Sequence, residues 1–146
     1  MRILPPTYFF LTLVLSIAVH FLLPISQIVD WPYRWAGVLI IIAGSVITIW
    51  ADAVFKRVKT TVKPNQIPSY LVIAGPFRFS RHPMYLGMGA VLIGVAVLLG
   101  SVTAFLGPLS LCLVLHFVFI AHEERVMRDQ FGKAYEVYAS RVRQWL

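Results

Sequence analysis

No Lys, Arg, Asp or Glu interrupts residues 7–29, 35–51, 84–100 or 103–121 of this chain. As helices rising ~1.5 Å per residue, the last two runs would each cross roughly 26 to 30 Å, about one hydrocarbon core. The four runs therefore predict an all-α integral membrane protein with about four transmembrane helices. The last two form a helical hairpin, with an uncharged turn expected at Leu106-Gly107-Pro108. A chain that is 59% hydrophobic and 13% charged, with mean hydropathy +0.79, does not suit a soluble globular domain. Residues 7–29 are too long for a signal-peptide core and lack a small-residue cleavage pattern, so they read as a retained first span.

The formal charge is +7, and its placement sets the topology. Lys56, Arg57, Lys59, Lys63, Arg78 and Arg81 lie in the 52–83 segment against the single acid Asp52. The positive-inside bias puts that loop in the cytoplasm, along with Arg2 and the tail at 122–146. Four spans then close on themselves as one multi-pass domain, 1–146, in a bacterial inner membrane or its equivalent, with both termini cytoplasmic. A basic loop beside anionic lipid serves as a topological anchor; nucleic-acid binding does not fit, because the charges border a bilayer and no recognition fold follows. The lone Cys112 lies inside a span and permits no intrachain disulfide. Oligomeric state is not legible.

Gly87, Ala90 and Gly94 recur at three and four residues in the third run, and Gly37 and Gly44 at seven in the second. Small residues at such spacing let helices approach closely in lipid. The 63–76 stretch is broken by Pro64, Asn65, Pro68, Ser69 and Gly75-Pro76. Within it Tyr70-Leu71-Val72-Ile73 is a short apolar run, either extended or lying against the membrane. In the tail Met127, Phe131, Ala134, Tyr138, Val142 and Trp145 recur at helical spacing with basic residues between them. That predicts one amphipathic helix, or two broken near Gly132, lying on the cytoplasmic membrane surface or closing as a lid over a ligand.

Two polar motifs bracket the hairpin: Arg81-His82-Pro83-Met84-Tyr85 before it and His122-Glu123-Glu124 after it. Pro83 fixes φ and pushes His82 out of the α region, so the third span should open with Pro83 at its first position and His82 near the cap. Free N–H groups there, beside Arg81, favour an anionic group such as a carboxylate. Glu123 and Glu124 point about 100° apart on a helix, so one is expected to face a ligand and the other to pair or pack. At a helix C-terminus both oppose the macrodipole, unless a ligand's donors, Arg81 or Arg125 compensate. Glu123 follows His116 by seven residues, hence on the same face. His20 and His116 are ionisable groups inside spans, which makes them functional suspects. Their unequal depths argue against a shared haem, which leaves His116 near enough to the cytoplasmic site to act there. Zinc spacing, a nucleophile elbow, a P-loop and a strand-following G-x-G-x-x-G are all missing, so no metal site is expected.

These residues resemble a family of membrane methyltransferases that groups isoprenylcysteine carboxyl methyltransferases with phospholipid N-methyltransferases. The likeness covers about 60–146. It is carried by Gly75-Pro76-Phe77-Arg78-Phe79-Ser80-Arg81-His82-Pro83-Met84-Tyr85-Leu86-Gly87, then Glu123-Glu124, then Phe131-Gly132-Lys133-Ala134-Tyr135-Glu136-Val137-Tyr138. The resemblance implies S-adenosylmethionine as cofactor at the cytoplasmic end of the hairpin. By position its binding residues are Ser69, Tyr70, Leu71, Val72, Phe77, Arg81, His82, Pro83, Met84, Tyr85 and Glu123. His82, Tyr85 and His116 are the catalytic candidates; a carboxylate acceptor needs no base, whereas an amine or thiol would use His82 or His116. In prenylcysteine enzymes an arginine one turn before the Glu pair holds the acceptor's carboxylate, and Phe119 stands there in this chain. A lipid-like or other apolar acceptor entering sideways from the bilayer is therefore expected. Two other readings fit parts of the sequence: an NADPH-dependent membrane reductase of the sterol-reductase type, and a small non-enzymatic membrane subunit, with or without haem.

Overall fold

The computed structural model describes residues 4–23, 25–58 and 70–146. Four apolar helical stretches make the bundle. The first is α1 (Pro5–Leu22), which Pro5 and Pro6 open at positions where a missing N–H costs nothing. A short 3-10 turn, Tyr33–Trp35, leads into α2 (Ala36–Arg57), whose last turn holds Lys56 and Arg57, charges that suit a helix C-terminus. Next comes α3 (Pro83–Leu99), begun by Pro83 after a non-helical His82 and ended by Gly100 in the left-handed region at φ 80°. The fourth stretch is α4 (Leu106–Val114), followed without a break by a π-helical segment, Leu115–Ile120, and by α5 (Ala121–Phe131). Finally α6 (Lys133–Arg141) is set off by Gly132 at φ 49°. The helices beyond the apolar runs belong to the tail, which is two helices broken at Gly132.

The glycine stripes meet each other. A Cβ on Gly44 would sit 2.7 Å from the carbonyl oxygen of Gly87, and one on Gly94 would sit 2.6 Å from that of Gly37. So α2 and α3 pack antiparallel, backbone on backbone, in the largest helix contact of the fold. The α1–α4 contact is built differently. Ser16 Oγ donates to the Ala104 carbonyl, Gly107 leaves room for the Ser16 side chain, and Tyr8 meets Phe119 edge-on at 5.6 Å. Leu92, Leu111, Leu115 and Ile120 fill the core between α3 and the fourth stretch. Many large apolar side chains face outward instead, Leu39 and Phe117 each 70% exposed, which is what a lipid-facing surface requires.

The helix bounds depart from the expected spans in four places, the second helix running past 51 to Arg57 and taking Asp52 out of the expected loop. The first helix stops at Leu22, not at 29, because Leu23 precedes a proline and takes φ −135°. Beyond it, Ile28 N–H donates to Gly100 and Val102 N–H to Ser26, so the chain after α1 caps the end of the bundle. The hairpin turn is at Gly100-Ser101 and the 3-10 turn Val102–Phe105, with Leu106, Gly107 and Pro108 already in the first turn of α4. At the other end the fourth helix does not finish at 121. It runs on to Phe131, so Glu123 and Glu124 sit inside a continuous helix and the expected macrodipole penalty does not arise.

Candidate functional site

The hairpin carries the two polar motifs to the same end of the bundle, and there they touch. Tyr85, in the first turn of α3, donates its phenolic O–H to Glu123 Oε1. His82 stands between the two acids, Nδ1 3.5 Å from Glu123 Oε2 and Nε2 3.5 Å from Glu124 Oε1. Its ring lies parallel to that of Tyr85 with centroids 5.8 Å apart. Glu124 is buried and takes most of the cations: Arg81 at 3.1 Å and Arg128, one helical turn on, at 3.4 Å. Gln144 Nε2 also donates to it at 3.3 Å. The acids therefore divide as their 100° offset requires. Glu124 is the hub of an ion-pair network, while Glu123 faces a cavity.

That cavity encloses about 510 Å³, within the range of small-molecule sites. Arg81, His82, Tyr85 and Glu123 form its polar side; Phe77, Val72, Met84 and Met88 form an apolar one. Two of the polar groups are incompletely used. Arg81 Nε is buried and makes no hydrogen bond, and buried His82 Nε2 has only its 3.5 Å contact with Glu124 and no hydrogen bond, a state a ligand's acceptors would improve. Burial opposes the charge on His82, yet Glu123 and Glu124 pull on its proton strongly enough to raise its pKa above the ordinary imidazole value.

The tail forms the roof. Met127, Tyr135 and Tyr138 line the cavity, and Tyr138 donates to the Phe77 carbonyl at 2.7 Å. Arg81 N–H donates to Arg143 O at 3.0 Å and Ser80 Oγ to Gln144 O at 3.3 Å, so the last residues are strapped to the turn before α3. Of the two arrangements the amphipathic pattern allowed, the tail takes the lid. Burial raises the Tyr135 phenol to about 12 and pushes Tyr138 up as well, which keeps both as neutral hydrogen-bonding groups.

Of the residues singled out in the sequence, Tyr70, Val72, Phe77, Arg81, His82, Pro83, Met84, Tyr85 and Glu123 line this one cavity. Ser69 lies outside the described residues. Leu71 does not line it; in the 70–73 run Val72 turns inward against Ala51 and Phe77, and Tyr70 and Ile73 are exposed. His116 does not line it either: it lies in the π-helical segment with its ring edge-on to Phe117. The wider π turn shifts the register, so a spacing of seven no longer aligns His116 with Glu123. His20 is at the far end of the bundle, Nδ1 2.7 Å from Ser101 Oγ. It shares no site with His116. The sequence reading missed the α2 contribution, Thr48, Ile49, Asp52 and Phe55, and the α1 start, Leu4 to Pro6. The signal for the first was present: 48, 52 and 55 share a helical face that carries the only acid of the basic segment. Among the described residues no cluster of His, Cys, Asp or Glu suits a metal ion.

Residues 32–134 match the family model described as phospholipid methyltransferase. Over 117 residues the chain is 32% identical to probable protein-S-isoprenylcysteine O-methyltransferases of Oryza sativa, indica and japonica, a match covering 77% of this chain and 60% of theirs. The chain thus spans 60% of the length of these relatives. A shorter match, 36% identical over 63 residues, covers 43% of this chain and the whole of an uncharacterized protein of Haemophilus influenzae. No solved structure matches.

Proposed function

Because the chain belongs to the phospholipid methyltransferase family of membrane proteins, we propose that the cavity between the third and fourth apolar helices binds S-adenosylmethionine and that the protein transfers its methyl group to an apolar or amphipathic acceptor in the bilayer. The observation that carries this reading is the meeting of His82, Tyr85 and Glu123 on one enclosed space, with Arg81 Nε and His82 Nε2 left buried without hydrogen bonds. The donor set suits the cofactor. Arg81 and the opening turn of α3 accommodate a carboxylate, Glu123 accepts from hydroxyls or an ammonium, and Phe77, Val72 and Tyr138 offer a flat apolar surface for a base. When bound, the cofactor supplies an electrophilic methyl on a sulfonium, a cation that aromatic faces such as Tyr85 stabilise.

The chain's own contribution is positioning. Tyr85 fixes the Glu123 carboxylate, Glu124 holds Arg81 and His82 in place, and Tyr135 and Tyr138 roof the cavity. His82, flanked by two acids that favour its proton against the cost of burial, serves to bind and orient. The positive-inside bias of Arg78, Arg81 and the tail supports a cytoplasmic orientation of this end.

Isothermal calorimetry of the purified protein in lipid nanodiscs with S-adenosylhomocysteine tests the reading. Saturable binding is expected, weakened roughly 10- to 100-fold by Glu123→Gln, as for loss of a charge-assisted hydrogen bond. Absence of binding to the unaltered protein would overturn it.

A further inference from the structure

Residues 142–146 hold the site by more than their bulk. Beyond α6 the backbone becomes extended at Val142 and crosses the turn before α3, where Arg143 O accepts from Arg81 N–H and Gln144 O accepts from Ser80 Oγ. Ser80, almost fully buried, in turn accepts from the backbone N–H of His82 at 3.2 Å. Trp145 packs on the core cluster that contains Tyr85. Gln144 is therefore tied by its backbone to the turn that carries the imidazole and the guanidinium, and by its side-chain amide to Glu124 Oε1 at 3.3 Å.

Three donors converge on that one oxygen. Arg81 Nη2 stands at 3.1 Å, Gln144 Nε2 at 3.3 Å and His82 Nε2 at 3.5 Å. A carboxylate oxygen offers two lone pairs, and the two nearer donors occupy them. Glu124 Oε2 is taken up by Arg128 at 3.4 Å. Carboxylates at both ring nitrogens favour an N–H on each side of His82. Its Nε2 is thus the donor left over, buried and without a hydrogen bond on the cavity that His82 lines.

We propose that Gln144 is a positioning residue that couples closure of the roof to the readiness of the site. With the strap in place its amide occupies the lone pair of Glu124 that His82 would otherwise use, and the Nε2–H of His82 is left for an oxygen of the bound molecule. With the strap lifted that lone pair is vacated and His82 Nε2 closes on Glu124, so the open site satisfies itself and binds weakly. The proposal rests on the reading of this cavity as the cofactor site, and adds to it the group that keeps His82 in its binding state. α6 joins α5 through Gly132 at φ 49°, with open space where a side chain would stand, so the roof can turn there without collision. A ligand then favours the closed roof, because only the closed roof leaves a buried donor for it to satisfy.

The test uses the full chain in lipid nanodiscs with isotope-labelled histidine. The proton resonance on His82 Nε2, assigned by its loss in His82→Gln, moves downfield when that N–H forms a hydrogen bond, and S-adenosylhomocysteine calorimetry is run on the same samples. Gln144→Met keeps the length of the side chain and removes its donor. Without ligand it should place the resonance downfield of its position in the unaltered protein, and it should weaken S-adenosylhomocysteine binding about tenfold. In the unaltered protein the ligand itself should produce the downfield shift. A resonance that Gln144→Met leaves in place would mean that Gln144 only packs the roof, whatever happens to affinity, and overturns the proposal; a shift without loss of affinity overturns it too. Should Gln144→Met fail to fold, a resonance that the ligand leaves in place in the unaltered protein overturns it. Absence of S-adenosylhomocysteine binding to the unaltered protein strikes the cofactor reading instead, and is told apart by the resonance measured without ligand.

Discussion

The two ends of this bundle use the same kinds of residue to opposite effect. At the end where α1 finishes, His20 bonds Ser101, Ser101 bonds Thr103 at 3.1 Å, and Arg34 donates to the Val29 carbonyl at 2.9 Å and to Gln27 at 2.6 Å. The backbone of 26–29 is stitched to 100–102. Each of these groups finds its partner in the chain, and the end is closed. At the other end the histidine and arginine are held just as firmly, by Glu123 and Glu124, but His82 Nε2 and Arg81 Nε remain buried without a hydrogen bond beside a cavity of about 510 Å³. A histidine in or near a membrane span is thus not a site by its identity. It is one where the surrounding network is left incomplete around a space.

The comparison can be broken most forcefully at Glu124. Glu124→Ala leaves Arg81 and His82 buried without their shared anion, and should cost about 3–5 kcal/mol of stability, read as unfolding in a denaturant series with bound and free S-adenosylhomocysteine. A loss under about 1 kcal/mol would mean that the site end is no more than a solvated surface. At the closed end His20→Phe should cost about 1 kcal/mol, the worth of one hydrogen bond, and should leave S-adenosylhomocysteine affinity unchanged. A change in affinity there would join the two ends that the account separates. The smallest effect is in pH. A raised His82 pKa means that its proton-linked stability is fully present below about pH 6.5 and is lost as pH rises through the folded-state value. The thermal midpoint of the unaltered protein should therefore fall relative to that of His82→Gln as the pH is raised above about 6.5.

Much of this was legible in the chain, for identifiable reasons. Uncharged runs long enough to span a bilayer fixed four apolar helices, because lipid leaves such segments no other fold. The meeting of His82 and Tyr85 with Glu123 was legible because a hairpin of equal arms returns to the side it left. The glycines were legible as close-packing positions, though only coordinates pair Gly44 with Gly87 and Gly37 with Gly94. Helix ends were read less well where polarity and helicity part company. The fourth helix loses its apolar character at His122 yet continues to Phe131, and its π-helical segment carries no sequence mark that spacing arguments detect. Asp52 was read as the odd acid of a basic loop because its place depends on how α2 packs against the turn at 75–78. Tyr135 and Tyr138 belonged to a helix with two possible docking places. What settles it is a handful of distant contacts, from Tyr138 to Phe77 and from Gln144 to Glu124, and such contacts leave no periodicity to read.

The central claim is that residues at the start of α3 and in α5 form one binding site, and a double-mutant cycle on S-adenosylhomocysteine affinity tests it most directly. Calorimetry on the unaltered protein, Tyr85→Phe, Glu123→Gln and the double variant isolates the energy the two share. The account predicts non-additivity of about 1 kcal/mol or more, because removing either partner of the Tyr85–Glu123 hydrogen bond already disables the other. Additive losses within about 0.3 kcal/mol, or no loss from either change, would contradict it.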